Sequence, residues 1–275
     1  MIGAMKAGTS TLHTTLHRHP EINWAREKEP GFFASYGEAY GDRRAGYTAY
    51  CELFEQREGL TGEASTTYSR YPFEAEVAGR VFSANPLTRM LYLVRNPVDR
   101  ALSHYIHDVL RGRETRTIRE ALARVPDMKY VFPGCYDLQI RQYLSFFPLE
   151  QIHIVSSESL FRRPAETINS VCRFLKISEI GDRISLTYGK NSSAARLGDF
   201  LLSDQGDESN ATVDLRLAAR SIHGQKGAGA REIASELGFG RIERRELAQM
   251  FESDSHRFAE RMDCPEAYKW SEDCE

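Results

Sequence analysis

The chain has few cysteines, no long apolar run and no excess of basic charge, and each shortage removes a class of protein. Its five cysteines, at positions 51, 135, 172, 264 and 274, are odd in number, widely scattered and without a C-x-x-C pair, so neither a disulfide framework nor a zinc site is indicated. The histidines lack H-E-x-x-H or H-x-x-E-H spacing, and no metal is expected. No apolar stretch approaches the roughly 20 residues of a membrane-spanning helix, so no stable membrane insertion is expected. A net charge of −3 argues against a nucleic-acid partner, which calls for a basic excess on its binding face. No basic-then-apolar leader precedes the first strand, which points to a cytoplasmic protein; that strand is either very short or continues upstream. Internal repeats and low-complexity tracts are also missing.

What is present is ordinary globular chemistry. With 275 residues and 41% hydrophobic content, the chain can bury one substantial core, and a single domain over 1–275 is expected. Apolar, β-branched runs at 89–94 and 152–155 alternate with helical patterns at about 9–19, 45–56, 73–82, 98–111, 136–147, 165–175 and 242–262. Pro20, Pro97, Pro148 and Pro164 punctuate the helix ends. This alternation predicts an α/β fold: a three-layer, P-loop-like parallel central sheet flanked by helices on both faces. Between 190 and 230 the pattern weakens into Gly, Ser, Asn, Asp and Gln, and a mobile loop region is expected there.

Ile2-Gly3-Ala4-Met5-Lys6-Ala7-Gly8-Thr9-Ser10-Thr11-Leu12 reads as a short strand, a small-residue turn and the first turn of a helix. Small residues let backbone N–H groups approach an anion, the helix start adds roughly half a positive charge, and three hydroxyls and Lys6 complete an anion site. Gly3 and Gly8 have the spacing of the nucleotide P-loop G-x-x-x-x-G-K-[ST], but Thr9 stands where its lysine belongs. A second segment follows the strand at 90–94: Arg95-Asn96-Pro97-Val98-Asp99-Arg100-Ala101-Leu102-Ser103-His104-Tyr105. An arginine at the C-terminal end of a buried strand faces the ligand crevice of an open α/β sheet.

Together these segments resemble the two phosphate motifs of sulfotransferases that use 3′-phosphoadenosine 5′-phosphosulfate (PAPS), K-x-G-T-[ST]-x-L and R-[DEN]-P-x-x-R-x-x-S-x-Y. Glu27-Lys28-Glu29-Pro30-Gly31-Phe32-Phe33 is similar to the K-E-x-x-F-F segment of the heparan sulfate and bacterial branches, and Gly62-Glu63-Ala64-Ser65-Thr66-Thr67-Tyr68 to their G-E-[KA]-[ST]-P-x-Y segment. Similar matches run to about Ile177. The resemblance implies sulfuryl transfer from PAPS, with PAP as product and no metal, to a hydroxyl or amine of a small-molecule, glycan or lipid acceptor. It places Lys6, Ala7, Gly8, Thr9, Ser10 and Thr11 on the 5′-phosphosulfate and Arg95 and Ser103 on the 3′-phosphate. Lys6 would stabilise the leaving phosphate, and Glu29 would be the general base.

His104 and His107, on the helix after Arg95, are second choices for the base. The blander reading of Glu27, Lys28 and Glu29 is a solvated charge run. The family closes a late basic loop over the nucleotide; Lys190, Arg196, Lys226 and Arg231 are candidates, with Lys226 preferred for its small-residue surroundings. Arg111, Arg113, Arg116, Arg119 and Arg124 either grip an acidic acceptor or form a solvated helix face, since Glu114 and Glu120 interrupt them. Two departures concern the acceptor: Gly31 replaces a histidine common in relatives, and Ala64 replaces the lysine of heparan sulfate enzymes. The competing readings are a Mg²⁺- and ATP-dependent P-loop kinase and a catalytically silent nucleotide-binding protein.

Overall fold

In chain order the helices and strands are α1 (Thr9–Leu16), β1 (Ile22–Trp24), α2 (Arg43–Cys51), β2 (Leu60–Gly62), α3 (Val77–Ala84), β3 (Met90–Val94), α4 (Pro97–Val109), α5 (Ile118–Leu122), α6 (Met128–Val131), α7 (Tyr136–Leu144), β4 (Ile152–Ser156), α8 (Ser157–Arg162), α9 (Pro164–Leu175), α10 (Ala230–Glu236) and α11 (Arg241–Met262). The computed structural model describes residues 1–34, 43–55, 58–122, 127–183, 211–212, 214–215, 218 and 230–270. Every helix and strand expected from periodicity is there. The unexpected ones, β1, β2, α5, α6, α8 and α10, are three to seven residues long, too short for a period to show.

All pairing is parallel among the described strands, and the fold is α/β. β3 pairs with β4 in a register that sets Met90 opposite Ile152 and Val94 opposite Ser156. Residues 2–4 pair with β3 as well: Ile2 N–H donates to the Leu91 carbonyl (3.0 Å), Leu93 N–H to Gly3 (2.8 Å) and Ala4 N–H to Leu93 (2.7 Å). With partners in both, β3 is buried at all five positions, which explains its unbroken apolar sequence. β1 pairs with β2, Ile22 opposite Leu60 and Trp24 opposite Gly62.

The chain groups into two compact units, Met1–Arg95 with Tyr136–Thr187 and Asn96–Cys135 with Tyr188–Glu275. Each unit takes two stretches of chain, and one boundary falls between a strand and the helix that follows it directly. Composition carries no trace of such a boundary.

In the second unit, Asn96 starts α4 by accepting from the Val98 and Asp99 N–H groups at 3.0 and 3.3 Å, with Pro97 in the first turn. Leu102, Tyr105 and Ile106 of α4 pack in a buried cluster with Phe239, Leu247 and Phe251. Ala211 and Leu215 belong to that cluster too. They and Ala218 have helical backbone and are at most 4% exposed, which corrects the expectation of a mobile loop at these positions. Their spacing of i, i+4, i+7 is a helical stripe that the surrounding polar composition masks.

Gly3 sits at φ 142°, and a Cβ there would run into the Ser69 hydroxyl. Gly3→Ala is therefore expected to destabilise the protein by about 1–3 kcal/mol, combining backbone strain with overpacking. Gly112→Ala, also at positive φ but with open space around it, is expected to lose less. Urea midpoints of the two variants check the order.

Candidate functional site

The site is described within the first unit. The chain leaves the pairing with β3 at Ala4 and turns through Lys6 (φ 69°) and Gly8 (φ 92°) into α1. Only glycine takes such a backbone without cost, so Gly8 is the hinge of the turn. As N-cap it offers no side chain, and the N–H groups of Thr11 and Leu12 turn back to its carbonyl at 3.0 and 3.2 Å. The N–H groups of Gly8, Thr9 and Ser10 donate to no backbone carbonyl among the described residues. They are the orphan donors that any helix start leaves, here beside the hydroxyls of Thr9, Ser10 and Thr11. Ala7 and Thr9 are buried beneath the turn.

Arg95 leaves β3 at the same edge. Its guanidinium Nη1 donates to the Lys6 carbonyl at 3.4 Å. Its backbone is clamped by Tyr136, whose hydroxyl accepts from the Arg95 N–H (3.2 Å) and donates to the Arg95 carbonyl (2.7 Å). The turn and the arginine are thus held together by the strand that both adjoin.

Glu29 reaches this loop through its neighbour. Lys28 Nζ donates to Ser10 Oγ at 2.7 Å and lies 3.6 Å from Glu29 Oε1. The other carboxylate oxygen of Glu29 accepts from Thr66 Oγ1 at 2.8 Å, and the Glu29 N–H donates to the Ala64 carbonyl at 3.0 Å. Ser10, Lys28, Glu29 and Thr66 form a continuous polar chain from the helix start to the carboxylate.

The segment after Glu29 hangs on one acid. Glu63 accepts from the hydroxyls of Tyr68 (2.7 Å), Ser65 (2.9 Å) and Tyr50 (3.0 Å). Ser65 in turn accepts from the Gly31 N–H at 2.9 Å, and Tyr68 from the Phe33 N–H at 3.1 Å. Burial, and then the Glu63 charge, push the Tyr50 and Tyr68 phenols up, so both remain O–H donors. Phe32 stacks on Tyr50 with ring centres 4.5 Å apart and planes 16° from parallel.

Four described non-glycine residues have left-handed backbone: Lys6, Glu29, Lys176 and Asp263. Lys176 and Asp263 close α9 and α11, where such a conformation is common. Lys6 and Glu29 close no helix. The two residues that the motifs single out for catalysis are the two whose backbone is strained without a helix end to account for it.

Other expected residues fall elsewhere. Ser103 lies buried on the second turn of α4, in the second unit. His104 is 4% exposed, 3.7 Å from Asp108 and edge-on to Tyr130, so it is a packed residue of that unit and a poor candidate for a base that must meet an acceptor. His107, in the last turn of α4, is half-buried. Arg231 is tied to both oxygens of Asp99, at 2.8 and 2.9 Å. In the arginine-rich stretch, Arg116 pairs with Glu114 and Asp127 at 2.7 Å and Arg119 with Glu243 at 2.7 Å. Lys190, Arg196, Lys226 and Arg124 lie outside the described residues. Lys28, Glu63 and Thr66 are the functional candidates that sequence reasoning missed. They sat inside the matched segments, but nothing local showed that their side chains converge.

Among the described residues no group of His, Cys, Asp and Glu could hold a metal ion, and no helix is long and apolar enough to cross a membrane. The family described as the sulfotransferase domain matches residues 1–197. The chain is 30% identical over 188 residues to heparan sulfate glucosamine 3-O-sulfotransferase 5 of Homo sapiens, covering 64% of this chain and 52% of that protein. It is 28% identical over 200 residues to the bifunctional heparan sulfate N-deacetylase/N-sulfotransferase 1 of Mus musculus, covering 66% of this chain and 22% of that one. The chain therefore spans about half or less of the length of these curated relatives. A sulfotransferase from Alicyclobacillus acidocaldarius, known from a crystal structure, superposes with a TM-score of 0.57 at 30% identity, over 74% of this chain and 95% of that one.

Two predictions concern how this loop pair is held. Glu63→Gln weakens the acceptor behind Ser65 and Tyr68, and amide exchange at Gly31 and Phe33 is expected to quicken by about tenfold, read by hydrogen exchange on peptides covering 26–34. His13, edge-on to Trp24 on α1, is pushed down to about 4 by burial and then by the Lys28 and His17 charges. Its ordinary value is 6.5. Below that value the unfolded chain takes up the proton first. The His13 contribution is therefore intact above pH 6.5 and is lost progressively as the pH falls toward 4. Urea unfolding between pH 7.5 and 5 is expected to fall more steeply for the parent than for His13→Gln.

Proposed function

Because the chain belongs to the sulfotransferase domain family, we propose that it is a PAPS-dependent sulfotransferase that modifies a hydroxyl or amine of a small-molecule, glycan or lipid acceptor. The observation that carries this reading is the polar chain from Ser10 through Lys28 to Glu29, which joins an anion-binding helix start to a carboxylate in one site. The residues fit the donor. Open backbone donors at Gly8, Thr9 and Ser10, with Ala7 small enough to let them approach and Thr11 adding a hydroxyl, would hold the 5′-phosphosulfate beside Lys6. By their motif, Arg95 and Ser103 would hold the 3′-phosphate.

Bound PAPS supplies an activated sulfuryl group, whose S–O bond to the 5′-phosphate breaks as an S–O or S–N bond to the acceptor forms. Glu29 accepts the proton that the acceptor gives up, with its second oxygen fixed by Thr66. Lys6 holds the charge left on the bridging oxygen of the departing phosphate. Both groups sit on left-handed backbone that closes no helix, a feature that supports a special role for these two positions.

Calorimetric titration with PAP is expected to show binding that Lys6→Ala or Arg95→Ala abolishes. Glu29→Gln is expected to keep PAP binding and to lower transfer from PAPS by about 10²–10⁴-fold, measured on a panel of p-nitrophenol, an aliphatic alcohol and a glucosamine oligosaccharide. Absence of PAP binding overturns the proposal, all the more if ATP binds with Mg²⁺ instead. Binding with no transfer to any panel member favours a silent nucleotide binder. Undiminished transfer by Glu29→Gln removes the base from Glu29.

A further inference from the structure

Lys28 touches both halves of the site, Ser10 on the anion turn and the Glu29 carboxylate, and neither phosphate motif assigns it a task. Its ammonium donates to Ser10 Oγ at 2.7 Å, on the first turn of α1, and lies 3.6 Å from Glu29 Oε1. Its charge reaches further into α1, as one of the causes that hold His13 down. An isolated pair between neighbouring residues such as Lys28 and Glu29 contributes little in water. Lys28 does more than that, because it also donates to a hydroxyl of the anion-binding turn. Along the polar chain the order is helix start, lysine, carboxylate.

Resting on the PAPS reading, we propose that Lys28 binds the sulfuryl group itself and is a second cation of the transfer site. Lys6 and the helix start neutralise the 5′-phosphate, which is present before and after transfer. The sulfuryl oxygens lie beyond that phosphate, toward the acceptor and its base. A cation between Ser10 and Glu29 stands where those oxygens carry charge in the donor and where none remains in PAP. Ala64, whose carbonyl receives the Glu29 N–H, has no charge to offer where heparan sulfate relatives carry a lysine, and Lys28 is the cation that lies against Glu29.

The role predicts a difference between two ligands that are identical apart from the sulfuryl group. Titrations of the parent, Lys28→Met and Lys28→Arg with PAPS and with PAP, in the absence of any acceptor, read it directly. Loss of one charge-assisted contact corresponds to about a tenfold change in affinity. Lys28→Met is expected to weaken PAPS about tenfold while PAP affinity stays within about twofold, and Lys28→Arg is expected to recover most of the PAPS affinity. The side chain is exposed enough that neither change should disturb folding, and thermal unfolding of the ligand-free variants checks this. Equal weakening of PAPS and PAP assigns Lys28 to the general field of the loop and overturns the proposal, as does no change in either. If the parent binds neither ligand, the donor reading fails before Lys28 is tested.

Discussion

Three backbone hydrogen bonds between residues 2–4 and β3 decide where the chemistry of the first unit can lie. Parallel neighbours end at the same edge of a sheet, so the turn that follows Ala4 and the arginine that follows Val94 emerge side by side. Their contact, Arg95 to the Lys6 carbonyl at 3.4 Å, is a consequence of that register. A slip of one residue would turn Ile2 and Ala4, both buried, toward the opposite face and carry the turn away from Arg95. Gly3 is the position where this pairing leaves no room: its backbone lies against Ser69, at the end of the segment that also carries Thr66 and the Glu63 carboxylate. One pairing thus seats the anion loop, the arginine and the support for Glu29.

The second constraint is the way strain is held. Left-handed backbone at a non-glycine residue costs about 1–2 kcal/mol, and at Lys6 and Glu29 no helix end accounts for it. At Glu29 the compensation is visible. Its N–H, its carboxylate and the N–H groups of Gly31 and Phe33 all find partners on residues 64–68. Ser65 and Tyr68 each accept from the loop and donate to Glu63, so one carboxylate orders two hydroxyls and, through them, the loop. A hydroxyl that both accepts and donates is more tightly oriented than one with a single partner, because rotating it breaks two bonds.

What could be read from the sequence and what could not follows from range. The anion turn at 2–12, the strand at 90–94 and the helix capped by Asn96 depend on residues within a turn or two of each other, and their spacing is enough to recognise them. The polar chain does not have this property: Lys28 and Ser10 are 18 residues apart, and Glu29 and Thr66 are 37 apart. Glu63 stands inside a matched segment, but its partner Tyr50 lies on α2, 13 residues earlier, and no local spacing links the two. His104 shows the opposite failure. It stands next to Ser103 on the helix after Arg95, but only the folded second unit reveals that Tyr130 and Asp108 pack against it. Ala211 and Leu215 were hidden by their neighbours, since a window average weighs every residue equally and burial depends on one face.

The surroundings of Glu29 differ in chemistry from the turn before α1. The turn at residues 6–10 offers fixed charge and backbone dipoles, groups suited to an anion of constant structure. Around the segment after Glu29, apart from Lys28, the groups are rings and neutral hydroxyls: Phe32 on Tyr50, Phe33 edge-on to Tyr50, and Ser65, Thr66 and Tyr68 turned toward carboxylates. The arginine stretch that might have gripped a polyanion has two of its members, Arg116 and Arg119, already paired with Glu114, Asp127 and Glu243. Releasing Arg116 would leave Glu114 buried and charged, and Glu114 is held well below the usual carboxylate range only because hydrogen bonds from Arg116, Lys129 and Tyr130 outweigh its burial. That cost falls on any acceptor that recruits Arg116. Aromatic faces and hydroxyls such as those of Phe32, Tyr50 and Tyr68 carry no such cost, because they meet a neighbour by stacking and hydrogen bonding without breaking an ion pair.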